Sequence, residues 1–167
     1  MRHMYGVEIH VPAGKLPGFY AQVIHKIGDH VNVFDRDNLL FIVENEAERD
    51  KLEAVLSKSG MLGDRFSLLL LPSSAQIDTV EDIGFVSQSE HLYLYAERVA
   101  LFTFAGGTEN EQDRWAAQEQ LREHVSGQFP ATASSTPVFI LDNAQTELAD
   151  GIARAYGQSL VWLHRGE

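Results

Sequence analysis

Leu39 to Val43 (Leu-Leu-Phe-Ile-Val) and Leu68 to Leu71 (four leucines) have no polar position. A strand with one wet side alternates apolar and polar residues, whereas apolar residues at consecutive positions call for cover on both faces. A chain holding two such segments therefore has to bury both sides of the sheet that contains them. At 167 residues and 44% hydrophobic content it has the material for one sizeable core or two smaller ones.

The residues before Leu39 complete the pattern. Val31 to Val43 reads as a β-hairpin whose tip is Asp35-Arg36-Asp37-Asn38, since aspartate and asparagine favour turns. Upstream, Tyr5 to Val11 alternates, with Tyr5, Val7, Ile9 and Val11 inward. Pro17 opens a helix with Phe19, Tyr20, Val23, Ile24 and Ile27 on one side and Gly28 at its end. Downstream, Asn45-Glu-Ala-Glu48 marks a second helix start, Leu52, Val55 and Leu56 form its stripe, Gly60 stops it, and Phe66 to Leu71 is a fourth strand. The order is βαββαβ, the connectivity of the ferredoxin-like unit, which predicts an α+β fold with the first and third strands central.

From residue 72 to 91 the chain is a polar connection with Ile77, Val80, Ile83, Phe85 and Val86 packing, and a short helix near Asp78 to Ile83. Leu92 to Ala96 and Val99 to Ala105 read as a second hairpin around Glu97-Arg98. Thr108 to Glu111 has the form of a capping box opening a helix with Trp115, Leu121 and Val125 inward. Pro130 to Thr136 reads as a loop, Val138 to Leu141 as a strand, Asn143 to Tyr156 as a helix burying Leu148, Ala149, Ile152 and Tyr156, and Leu160 to Leu163 as a strand. The predicted organisation is a ferredoxin-like half over 1–71, a packed connection over 72–91 and a ββαβαβ half over 92–167, the two halves forming one body. Hairpin, helix and strand recur at 31–71 and 92–141, without a residue-level repeat.

Charge narrows the function. The net charge is −11; residues 1–71 hold 8 basic and 10 acidic side chains, residues 72–167 hold 5 and 14. Such a balance argues against tracking nucleic-acid phosphates and for an acidic second half suited to a basic protein partner. The absence of cysteine removes disulfides and thiolate chemistry and fits a reducing cytoplasm. Met1 to Tyr5 has no signal-peptide run, Arg2-His3-Met4 has the look of a cloning remnant, and no apolar stretch is long enough to span a bilayer.

Candidate chemistry is sparse. Glu8 and His10 share the polar side of the first strand, ~7 Å apart, where they suit proton exchange or metal binding. His25, His30 and Asp35, with Asp29 and Asp37 nearby, are weaker metal candidates; the commoner roles are a helix-dipole partner for the histidines and a turn for the aspartates. Gly14-Lys15 and Gly106-Gly107-Thr108 each precede a helix, where anions bind, but Glu109, Glu111 and Asp113 make the second a capping sequence. His10-Val11 followed by Phe19-Tyr20 resembles the opening of vicinal-oxygen-chelate modules, which implies a metal histidine at His10. That family continues with three strands, the last bearing a metal glutamate; here the Asn45 helix follows two strands, and no glutamate matches. Neither His10 nor His91 is followed at the second position by serine or threonine, so a two-histidine phosphoesterase has no support. Trp115 and Trp162 are assigned to the core.

The first reading is thus a cytosolic inhibitor, immunity or antitoxin-like protein without a cofactor, binding a basic partner through Glu109, Glu111, Asp113, Glu119 and Glu123, with Asp78, Glu81 and Asp82 beside them. The second is a metal-dependent enzyme or small-ligand binder on the Glu8/His10 face. The third takes the doubly apolar strands as a homodimer seam.

Overall fold

The computed structural model describes residues 1–14, 17–106, 110–131 and 136–166. The chain divides into two compact units, one of residues 1–70 and 86–93, the other of residues 71–85 and 94–167.

The first unit contains β1 (Arg2–Ile9), α1 (Pro17–His30), β2 (Asp35–Asp37), β3 (Leu40–Val43), α2 (Glu46–Lys58) and β4 (Leu62–Leu70). Its strands lie in the order β2-β3-β1-β4, each pair antiparallel, which is the ferredoxin-like arrangement expected from the connectivity. Val7, Ile9, Phe41 and Val43 meet Val23 and Ile27 of α1 and Leu52 and Leu56 of α2 in one core. Ile42, Met4 and Leu68 on the other face are also fully buried, as consecutive apolar residues require, while Leu39 at the start of the run is 39% exposed. Gly6 fits here because a Cβ would already stand 3.1 Å from a methyl of both Leu40 and Leu68.

Local signals explain the helices. The Asn45 side chain accepts from the Glu48 N–H at 2.9 Å, as its spacing predicted. At the other end Gly60 adopts φ 69°, its N–H donates to Ser57 and the Met61 N–H donates to Leu56, which is a Schellman stop. Gly28 ends nothing: α1 runs on to His30, because a glycine without a left-handed φ leaves the helical ladder intact.

Several boundaries differ from expectation. β1 begins at Arg2 and Met4 is fully buried, so these residues are strand and not a remnant outside the fold. It ends at Ile9, which leaves Val11 42% exposed. Val31 to Phe34 is not strand, and the turn is Asn38-Leu39 with Asn38 at φ 51°. Asp35 therefore lies inside β2, opposite Ile42, and not at a tip.

After β4 come β5 (Gln76–Ile77), a 3-10 turn at Val80–Asp82, β6 (Gly84–Val86), β7 (Leu92–Tyr95), β8 (Val99–Phe104), α3 (Glu111–Leu121), β9 (Gly127–Pro130), β10 (Pro137–Asp142), α4 (Thr146–Ala155) and β11 (Leu160–Arg165). β7 and β8 are not a hairpin but belong to different sheets, and β5, β6 and β9 are three strands more than the sequence announced. From β8 onward the order is again βαββαβ. Its sheet runs β9-β10-β8-β11, with β5 added beside β9, so β8 to β11 repeat the ferredoxin-like arrangement of β1 to β4 strand for strand. The repeat is thus framed on 2–70 and 99–165, not on 31–71 and 92–141. The second helices also end alike: Gly157 has φ 68°, its N–H donates to Arg154 and the Gln158 N–H donates to Ala153, matching the stop at Gly60.

In this second core Phe102, Phe104, Phe139 and Leu141 pack under Ala117 and Leu121 of α3 and Ala149 and Ile152 of α4. Trp162 packs against it, its ring 5.3 Å from Phe102 and its Nε1 donating to Asp150. Trp115 does not; it is 62% exposed, and Leu148 on α4 is also exposed. The α3 cap is Asn110, whose side chain accepts from the N–H groups of Gln112 and Asp113; Thr108, expected to open this helix, lies outside the described residues. Among the described residues no helix is long and apolar enough to cross a membrane.

Candidate functional site

The most built-up polar arrangement described lies in the first unit around Asp35. β2 carries this carboxylate inward, and its side chain is 1% exposed. Burial alone would raise its pKa. Three side chains oppose that by donating to Oδ2: Ser87 Oγ at 2.7 Å, His91 Nδ1 at 2.9 Å and Tyr93 Oη at 2.8 Å. The Arg36 N–H adds a bond to Oδ1 at 2.7 Å, and the net result is a pKa near 2. Asp35 is thus ionised at neutral pH. Tyr93 is pushed well above the usual phenol range by burial and by the adjacent carboxylate, so it remains a donor.

The donors come from one short segment held by its own turn. The Ser87 N–H donates to the His91 carbonyl at 2.9 Å, the Glu90 N–H to the Ser87 carbonyl at 2.9 Å, and the His91 N–H to Ser87 Oγ at 3.2 Å. Glu90 takes the left-handed region at φ 65°, a strained choice for a residue with a side chain. The His91 ring stacks on Phe34, centroids 5.3 Å apart, and meets the edge of Tyr93 at 6.2 Å. Its plane is set from two sides.

Of the residues singled out in the sequence, Asp35 alone belongs to this arrangement. Glu8 is half-buried in β1, and His10 is exposed just beyond that strand, its N–H on the Met61 carbonyl. His25 is exposed and lies 3.3 Å from Asp29, and His30 is exposed in the last turn of α1. Asp35 is engaged by Ser87, His91, Tyr93 and the Arg36 N–H; among the described residues no three His, Cys, Asp or Glu side chains group as a metal site. Gly14 is described at φ 83°, whereas Lys15, Gly107, Thr108 and Glu109 lie outside the described residues.

In the second unit Glu111 and Glu123 are exposed, and Asp113 and Glu119 are partly so, with Glu119 2.9 Å from Arg122. Asp78, Glu81 and Asp82 are exposed around the 3-10 turn. Trp115 stands four residues from Glu111 and four from Glu119, on the outward side of α3.

Sequence reasoning missed Ser87, His91 and Tyr93 as partners of Asp35. The available signal was His91-Leu-Tyr93, which sets two polar-tipped rings on one side of an otherwise apolar strand. Comparison of the chain with protein-family models, with curated proteins and with solved structures finds no match.

Proposed function

We propose that the chain is a cytosolic protein-binding module, of the inhibitor, immunity or antitoxin kind, that presents α3 to a basic partner. The observation that carries this reading is Trp115, 62% exposed between Glu111 and Glu119 on one helix face. A tryptophan left in water on a folded helix is the residue type that most often anchors a protein interface, and flanking carboxylates suit a cationic counterpart. The composition agrees: the second unit holds 13 acidic and 5 basic residues. Glu123, Asp78, Glu81 and Asp82 extend the acidic set, while the exposed Glu119–Arg122 pair contributes little stability and is open to exchange.

The test uses the whole chain as bait in native lysate, at low and high salt, beside Trp115→Ala and the double variant Glu111→Lys/Glu119→Lys. A basic partner retained by the natural chain, weakened by salt and lost with either variant is the expected result. A partner held equally by all three, at both salt concentrations, overturns the α3 assignment. Light scattering of the same samples separates a second copy of this chain from a different protein.

A further inference from the structure

The ring of His91 has a defined tautomer and an open edge. An ionised carboxylate offers only lone pairs, so the hydrogen at 2.9 Å from Asp35 Oδ2 belongs to Nδ1. In the neutral ring the remaining lone pair is then on Nε2. Among the described residues the ring makes one hydrogen bond, through Nδ1, and the side chain is 41% exposed while its carboxylate partner is 1% exposed. The exposed edge is therefore the one away from Asp35, where Nε2 sits. Phe34 and Tyr93 fix the ring plane, and the Ser87 turn fixes the backbone beneath it.

From this geometry we infer that His91 is a nucleophile for uncharged activated acyl groups, aryl esters being the simplest class, with Asp35 as its positioning residue. The Nε2 lone pair forms a bond to the carbonyl carbon, and the carbon–oxygen bond to the aryl group breaks, its electron pair leaving on the aryl oxide. The acylated ring keeps its Nδ1 hydrogen on Asp35, whose negative charge balances the positive charge the ring has gained. Water then attacks the carbonyl, the carbon–nitrogen pair returns to Nε2, and both protons of the water pass to solvent, leaving the neutral ring and a carboxylate. An anionic electrophile fits less well: the chain carries a net charge of −11, Glu90 adjoins the site, and Arg2, whose guanidinium lies over Phe34, is paired with Glu44 at 2.5 Å. This activity is independent of the α3 face, which lies in the other unit.

The experiment follows p-nitrophenyl acetate hydrolysis by the full chain, with acid quenching and mass spectrometry to map the acetyl group. The expected result is acetyl on His91 in preference to the exposed His10, His25 and His30, with release of p-nitrophenolate lost in His91→Ala. Asp35→Asn should slow acylation by at least about tenfold, in the direction seen when a carboxylate behind a catalytic histidine is neutralised. Nitrogen NMR of the natural chain supplies a readout independent of folding of that variant: neutral His91 should carry its hydrogen on Nδ1. Acetyl spread evenly over the exposed histidines, full activity in His91→Ala, or a hydrogen on Nε2 would each overturn the inference.

Discussion

Asp35 meets three donors with a single oxygen, so removing it takes the shared acceptor from a hydroxyl, an imidazole N–H and a phenol at once. Asp35→Ala should therefore cost on the order of 3 kcal/mol in a urea titration. The charge also has a pH signature. The ordinary value of 3.8 falls to about 2 in the fold, so the carboxylate's contribution is complete above the unfolded-state value and disappears as pH drops through about 2. That shift corresponds to about 2 kcal/mol, and the stability gap between the natural chain and Asp35→Asn should be widest near pH 6 and narrow toward pH 2. A gap that stayed constant would mean that hydrogen-bond shape, not charge, holds the segment. Asp35 was not legible as a buried group because Asp-Arg-Asp-Asn has the composition of a turn, and the hairpin does turn, but two residues later at Asn38-Leu39. What buries it arrives from residues 52, 56 and 58 positions away, beyond the reach of local pattern.

Among the helices, three glycines of similar appearance in the sequence have opposite roles. Gly60 and Gly157 hold left-handed φ values in equivalent helix stops, so Gly60→Ala and Gly157→Ala should each lower stability by about 1 kcal/mol. Gly28 lies within α1 with ordinary φ, and an added Cβ would meet nothing within 4 Å, so Gly28→Ala should raise stability by ~0.5 kcal/mol. Thermal melts of the three variants check the contrast, and equal signs would refute it. Trp115→Ala should change the melt by less than ~0.5 kcal/mol, since the ring is mostly in water; its effect belongs to binding. Helix existence was legible from capping and apolar spacing. The outward turn of Trp115 follows from the same spacing, since it stands two residues from Ala117 and six from Leu121, off the inward stripe those two carry; only the apolar character of tryptophan argued for the core.

Two ferredoxin-like arrangements in one chain were half legible. The first followed from connectivity alone. The second was obscured because β9 is Gly-Gln-Phe-Pro, with Phe129 its only large buried residue, and because Glu97-Arg98 looks like a hairpin turn although β7 and β8 enter different sheets. Gly127 is fixed by that strand's neighbour: a Cβ there would stand 2.3 Å from the Gln76 carbonyl, so Gly127→Ala should detach β5 or cost roughly 1–3 kcal/mol, visible as faster amide exchange at residues 76 and 77. The first unit is discontinuous, and a chain ended at residue 70 would contain every strand and helix of its βαββαβ set while lacking Ser87, His91 and Tyr93. Such a chain should be less stable than 1–93 by an amount comparable to Asp35→Ala, as read by urea midpoints. The same discontinuity sets an order of events during synthesis. Asp35 is made 58 residues before Tyr93, its most distant donor, an interval of roughly 3–12 s at ordinary elongation rates. For those seconds the nascent sheet holds an ionised carboxylate with the Arg36 N–H on Oδ1 and its set of donors to Oδ2 incomplete, so the first unit reaches its final form only after the ribosome has begun the second.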